Sequence, residues 1–249
     1  MFSVAGKVAL VTGGLRGLGR AMTLGLAKAG AQVAIVAKSL QPGSIIQELN
    51  DLGSVPLYLP ADLSQRQQRM GLVEKVVARF GRLDILVNNA GFQARSPAIA
   101  YREEQWDCDI SLLLTAVLDL SQQAADFMLP QGSGKIINIA SISSFQGARN
   151  IVGYATAKHG LIGLTKCLAN EWASKGINVN AIAPGLFDTD MARHVTSDPV
   201  KTAEIVGRIP AGRFGNPDDM VGPLLFLASD ASRYVHGCTL LVDGGWMGR

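Results

Sequence analysis

Tyr154 and Lys158 stand four residues apart in the run Val152-Gly153-Tyr154-Ala155-Thr156-Ala157-Lys158. The apolar spacing predicts a helix over Val152–Ser174, and on a helix positions i and i+4 share one face. An ammonium held near a phenol favours the phenolate and lowers its pKa. A tyrosine so placed can act as general acid or base nearer neutral pH. Ser141 closes an apolar run ahead of that helix, and its hydroxyl can hydrogen-bond an oxygen on which negative charge develops.

A second constellation lies near the start of the chain. Thr12-Gly13-Gly14-Leu15-Arg16-Gly17-Leu18-Gly19 separates a buried apolar run, Lys7–Thr12, from a helical pattern over Leu18–Ala29. Glycines at a strand-to-helix turn let backbone approach a phosphate, and the helix aims its first N–H groups at it. The placement points to a dinucleotide, with a plain turn as the alternative. No acidic residue occurs between Gly19 and Gln47, where an NAD site usually carries its ribose-binding Asp or Glu. Arg16 and Lys38 instead suit a 2′-phosphate. NADP(H) is therefore favoured, and NAD(H) is the alternative if both cations are merely solvated.

The elements that must position these groups are read from periodicity. Short apolar runs at Lys7–Thr12, Gln32–Ala37, Val55–Leu59, Leu83–Asn88, Lys135–Ala140, Ile177–Ile182 and Thr239–Val242 read as strands. Helical patterns alternate with them: Leu18–Ala29, Ile45–Leu52, Gln65–Phe80 (stopped by Gly81), Glu103–Met128 (ended by Pro130), Val152–Ser174 and Asp218–Ala228. This alternation predicts an α/β, Rossmann-type, doubly wound parallel sheet of about seven strands, with helices on both faces, in a single domain. The stretch Pro184–Arg213 is irregular or partly helical, and its mixed part Leu186–Arg213 is expected to hold a lid, with an ordinary connecting loop as the alternative.

Composition narrows the classes. Of 249 residues 48% are hydrophobic and 17% charged, so global disorder is excluded. Lys and Arg number 23 against 20 Asp and Glu, and no basic stripe marks a nucleic-acid binder. Cys108, Cys167 and Cys238 are far apart, as are His159, His194 and His236, so neither a disulfide framework nor a metal site is expected. No signal peptide and no membrane-spanning run are read, which gives an expectation of a cytoplasmic protein without membrane partners.

The motifs together resemble the short-chain dehydrogenase/reductase family. Its TGxxxGxG matches Thr12–Gly19, its NNAG matches Asn88-Asn89-Ala90-Gly91, and Ser141, Tyr154, Lys158, Pro184-Gly185 and Thr189 follow in order. The resemblance implies hydride transfer between nicotinamide C4 and a carbonyl carbon, with Ser141, Tyr154 and Lys158 catalytic. It implies that Tyr154 handles the proton, Lys158 also holds the nicotinamide ribose, and Pro184–Thr189 holds the carboxamide. The cofactor is then expected against Gly13, Leu15, Arg16, Gly17, Leu18 and Gly19. Further contacts are expected from Lys38, Ser39, Asp62, Leu63, Asn89, Ala90, Gly91, Pro184, Gly185, Phe187 and Thr189. Asp62 matches the position that contacts adenine, or it caps the following helix.

The chain departs from the family at Leu113, where an asparagine usually anchors a water in a proton relay. Ser111 is the nearest polar replacement in sequence. Substrate contacts are expected from Gln93, Arg95, Ser143, Arg149 and Arg193, the arginines suiting a carboxylate if they are not unrelated surface groups. The segments Arg208–Gly215 and Asp243–Trp246 resemble the gluconate and deoxygluconate dehydrogenase branch, which implies a sugar-acid substrate and a homotetramer. A 3-oxoacyl thioester reductase is the rival enzyme, and a nucleotide-binding protein with impaired catalysis is the rival from another class.

Overall fold

The structure, a computed structural model, describes residues 2–192 and 197–248. Seven strands form one sheet: β1 (Val8–Thr12), β2 (Gln32–Ala37), β3 (Leu57–Pro60), β4 (Ile85–Asn88), β5 (Gly134–Ile139), β6 (Ile177–Pro184) and β7 (Thr239–Val242). Their order is β3-β2-β1-β4-β5-β6-β7, and every neighbouring pair is parallel. The order reverses at β1 and β4, so their carboxyl ends flank the crevice where such sheets bind ligands.

Strand alternation feeds two cores. Val8, Leu10, Leu86, Ile136 and Val179 face one side. There they meet α4 (Leu72–Phe80), α6 (Ala116–Gln131) and α7 (Val152–Trp172) through Val73, Val76, Leu120, Met128 and Trp172. Ala9, Val11, Val33, Ile35, Ile85 and Ile137 face the other side. They meet α1 (Gly17–Lys28), α2 (Ile45–Asp51) and α9 (Val221–Ala228) through Met22, Leu26, Leu49, Leu224 and Leu227. Strands buried on both faces explain their unbroken apolar runs. The run Glu103–Gln131 is apolar and long enough to cross a bilayer by length and composition, yet it lies along the sheet with Leu120, Ala124 and Met128 in the core.

Three features of the helices differ from expectation. The helix expected over Gln65–Phe80 is two, α3 (Arg66–Arg69) and α4, because Met70 is extended and Gly71 has φ +68°. The helix expected to stop at Pro130 contains that proline and ends at Gly132, φ +64°. Its start, α5 (Glu103–Ile110), joins α6 through a π-helical turn at Ser111–Thr115. The stretch read as irregular or partly helical holds α8 (Pro199–Val206), capped by Asp198, whose carboxylate accepts from the N–H groups of Val200 and Lys201.

Candidate active site

The carboxyl ends of β1 and β4 are bolted together by side chains. The Thr12 hydroxyl oxygen accepts the N–H groups of Asn89 and Ala90, both at 2.9 Å. Asn89 Nδ2 donates to the carbonyls of Thr12 at 2.9 Å and Gly13 at 3.2 Å. Gly19 packs so tightly that a Cβ there would lie 2.1 Å from the Gly13 oxygen. Gly17, at φ +52°, opens onto Thr189, whose Cγ2 would be 3.6 Å from an added Cβ. The glycine turn, the Asn89–Gly91 loop and the Thr189 segment therefore surround one cradle. The extended Arg16 starts α1, whose first turn carries neither an acidic residue nor a side-chain cap, so its N–H groups can receive a phosphate. These residues fit a nicotinamide dinucleotide.

The two cations singled out for the 2′-phosphate both have acidic partners. Lys38 Nζ lies 2.7 Å from Asp62 Oδ2, and Arg16 Nη1 lies 3.8 Å from Asp190 Oδ2. Burial pushes the Asp62 carboxyl up, but the Lys38 ammonium and Ser64 outweigh it and hold the group below its usual range. Asp62 Oδ1 also accepts the Ser64 N–H at 3.0 Å and hydroxyl at 2.7 Å, so its local turn-forming role is present as well. Leu63 is buried, and Ser39 closes a tight turn with Gln41.

Ser141, Tyr154 and Lys158 converge at the carboxyl end of β5, each less than a tenth exposed. Ser141 caps a 3₁₀ turn over Ile142–Ser144, its Oγ accepting the Ser143 N–H at 3.0 Å. Lys158 Nζ donates to the Ile139 carbonyl at 2.5 Å and sits 5.7 Å from the centre of the Tyr154 ring. Burial pushes the Tyr154 phenol up, and a hydrogen bond with Ser141 opposes this. The same burial pulls the Lys158 ammonium down to about 8. The expectation of a depressed phenol pKa is thus reversed, because desolvation outweighs the hydrogen bond with Ser141.

Other expected residues separate into groups. Pro184 ends β6, and Gly185 donates its N–H to the Val242 carbonyl at 2.9 Å. Phe187 turns its ring into the core against Gly215, to which it is bridged in parallel. Ser143 is buried behind Ser141. Gln93 bonds Arg95 at 2.9 Å, and the loops of Arg95 and Arg149 are tied by Ser96 N–H to the Asn150 carbonyl at 3.0 Å. Arg193 and His194 lie outside the described residues.

Leu113 is 1% exposed and packs against Ile151, Tyr154, Ala155 and Ala157. Ser111 does not replace the missing asparagine. Its hydroxyl donates to the Ser64 carbonyl at 2.7 Å and accepts from Arg69 at 3.1 Å. The half-buried Tyr101 and its buried partner Asp109 were not singled out from sequence. Their only sequence signal is an acidic residue one helical turn before Leu113 on the same face.

A parallel sheet with a glycine cradle at its switch point and a Ser–Tyr–Lys cluster beside it defines a dinucleotide-dependent oxidoreductase fold. The family model described as enoyl-(acyl carrier protein) reductase matches residues 13–247. The chain is 47% identical to the 2-dehydro-3-deoxy-D-gluconate 5-dehydrogenase of Escherichia coli, covering 100% of this chain and 98% of that protein. It is 40% identical to the 3-oxoacyl-[acyl-carrier-protein] reductase of Thermotoga maritima, covering 96% and 97%. The crystal structure of a gluconate 5-dehydrogenase from Burkholderia cenocepacia, in complex with NADP and tartrate, superposes with TM-score 0.95 at 36% identity, covering 100% and 98%. The chain belongs to the short-chain dehydrogenase/reductase family and is an NAD(P)-dependent oxidoreductase.

Proposed function

We propose that the protein interconverts a ketone and a secondary alcohol on a sugar acid, a 2-dehydro-3-deoxygluconate or ketogluconate, using NADP(H). The observation that carries this reading is the Ser141–Tyr154–Lys158 cluster, in a chain 47% identical end to end to a dehydrogenase of that substrate class. NADPH, when bound, supplies the hydride. Gly13 and Leu15–Gly19, Lys38 and Ser39, Asp62 and Leu63, Asn89–Gly91, and Pro184, Gly185, Phe187 and Thr189 hold it. Lys158 also holds the nicotinamide ribose.

Ser141 Oγ bonds the substrate oxygen, and Tyr154 gives that oxygen its proton. Burial keeps the free phenol protonated, which is the form needed for reduction. Arg95 and Arg149, on loops that the Ser96–Asn150 bond holds together, receive the carboxylate with Gln93, Ser143 and Arg193. Residues 186–213 form a lid on a single catalytic domain, and the assembly is a cytoplasmic homotetramer.

The test is NADPH oxidation with 5-ketogluconate, 2-dehydro-3-deoxygluconate and an acetoacetyl thioester. Turnover of a sugar acid, abolished in Tyr154→Phe while NADPH still binds, is expected. Turnover of the thioester alone would replace the substrate assignment. Full activity in Tyr154→Phe would remove the proposed acid.

A further inference from the structure

The helix that carries Tyr154 begins without a cap of its own. Ile151, before its first turn, makes no side-chain cap, and the turn contains no acidic residue. Its first N–H groups are therefore orphans unless another element serves them. Tyr101 and Asp109, from the loop and helix between β4 and the π-helical turn, reach that place. The Tyr101 hydroxyl donates to Asp109 Oδ2, and both oxygens lie against the backbone of Gly153.

The fit at Gly153 is close. A Cβ there would lie 2.5 Å from Asp109 Oδ2 and 2.7 Å from the Tyr101 oxygen. Asp109 is fully buried, and its Oδ1 has no hydrogen-bond partner among the described residues. An unpaired buried carboxyl oxygen is costly, and the proposed chemistry makes no use of it. One turn further along the same helix, Leu113 joins Tyr154 in one buried apolar cluster. The loop just ahead of α7 is held in the same region by Ser96 and by Asn150 in the left-handed conformation, φ +64°.

We propose that Tyr101 and the buried Asp109 form a cap, supplied from outside the helix, that fixes the first turn of α7 and so the reach of Tyr154 toward substrate. Both are positioning residues. The acceptor on Asp109 orients the Tyr101 hydroxyl, and that hydroxyl holds the N–H of the residue next to Tyr154. The effect on turnover rests on Tyr154 being the proton donor, as proposed above, whereas the cap itself does not.

Tyr101→Phe removes one oxygen and preserves the ring, and Asp109→Leu removes the acceptor. Each is expected to lower kcat tenfold or more with NADPH Kd within twofold, since the cradle is built on other strands. Asp109→Asn retains an acceptor for Tyr101 and is expected to rescue kcat to within about threefold of wild type. Backbone hydrogen exchange over residues 152–155 gives a readout independent of turnover, and it is expected to accelerate at least tenfold in Tyr101→Phe. Unchanged exchange in Tyr101→Phe would overturn the cap. So would a loss of NADPH affinity as large as the loss of kcat, which would mark general fold support. Faster exchange with unchanged kcat would overturn the link from the cap to the reach of Tyr154, while the acid role of Tyr154 is decided separately by Tyr154→Phe. If Asp109→Leu does not fold, Tyr101→Phe and Asp109→Asn still decide the matter.

Discussion

Replacing Lys158 by methionine isolates what it costs to hold an ammonium inside this protein. Lys158 is 5% exposed, and burial alone moves its pKa from 10.5 to about 8. The folded state therefore releases this proton more readily than the unfolded chain does. Between pH 8 and 10.5 the unfolded state binds more protons, so stability rises with pH across that window. The gap between the two values corresponds to about 3 kcal/mol. The penalty is complete below pH 8 and gone above 10.5, and methionine has none at any pH. The lost bond to Ile139 offsets the variant by an amount independent of pH, because a neutral amine donates too. Urea unfolding followed by tryptophan fluorescence, at one protein concentration and at pH 7, 8, 9 and 10, is the assay. The wild type is expected to gain on Lys158→Met by about 2–3 kcal/mol from pH 7 to pH 10. A difference that stays constant, or that moves the other way, would refute burial as the cause.

Removing Lys38 or Arg16 by alanine substitution is expected to weaken NADPH binding about 10- to 100-fold, as for a charge-assisted bond to phosphate, and to leave NADH within threefold. Fluorescence titration checks this, and equal losses for both nucleotides would count against phosphate recognition. Leu113→Asn puts an amide where 1% of the surface is exposed, beside Tyr154, and is expected to cost about 1–3 kcal/mol in thermal unfolding. The same variant is expected to change the pH–rate profile, and an unchanged profile would show that this position does not govern proton exchange. Gly19→Ala forces a Cβ to within 2.1 Å of the Gly13 oxygen, so NADPH affinity should fall at least tenfold while far-ultraviolet circular dichroism stays native. Retained affinity would show that the turn adapts.

Sheet and helix order were legible because strands buried on both faces and amphipathic helices leave different periods in the sequence. Boundaries set by one backbone angle were not. Nothing in the run Gln65–Phe80 announces that Gly71 takes φ +68° and breaks it, and Pro130 reads as a stop although the helix absorbs it. The convergence of Ser141 with Tyr154 and Lys158 was legible from motif order. The sign of the Tyr154 shift was not, because spacing reports the nearby ammonium and says nothing of desolvation. The salt bridge of Lys38 with Asp62 was equally hidden, since β2 and β3 bring the two together only in the folded sheet. Tyr101 and Asp109 escaped notice because a buried carboxyl looks like any surface aspartate until its burial is known.

The helix that heads the glycine turn is packed by one of the last parts of the chain to be made. Gly25 of α1 sits so close to α9 that an added Cβ would lie 2.6 Å from Val221 Cγ1, and Met220, Leu224 and Leu227 complete the core that β1 and β2 begin. During synthesis the nucleotide cradle therefore emerges first and acquires its outer wall last. A nascent chain released before residue 220 carries every proposed cofactor residue and still leaves Met22, Leu26 and Ile35 with their apolar surface open to water. Premature termination before residue 220 should yield an aggregating chain rather than a shortened nucleotide binder, and the burden of protecting that surface falls on chaperones until those residues are made.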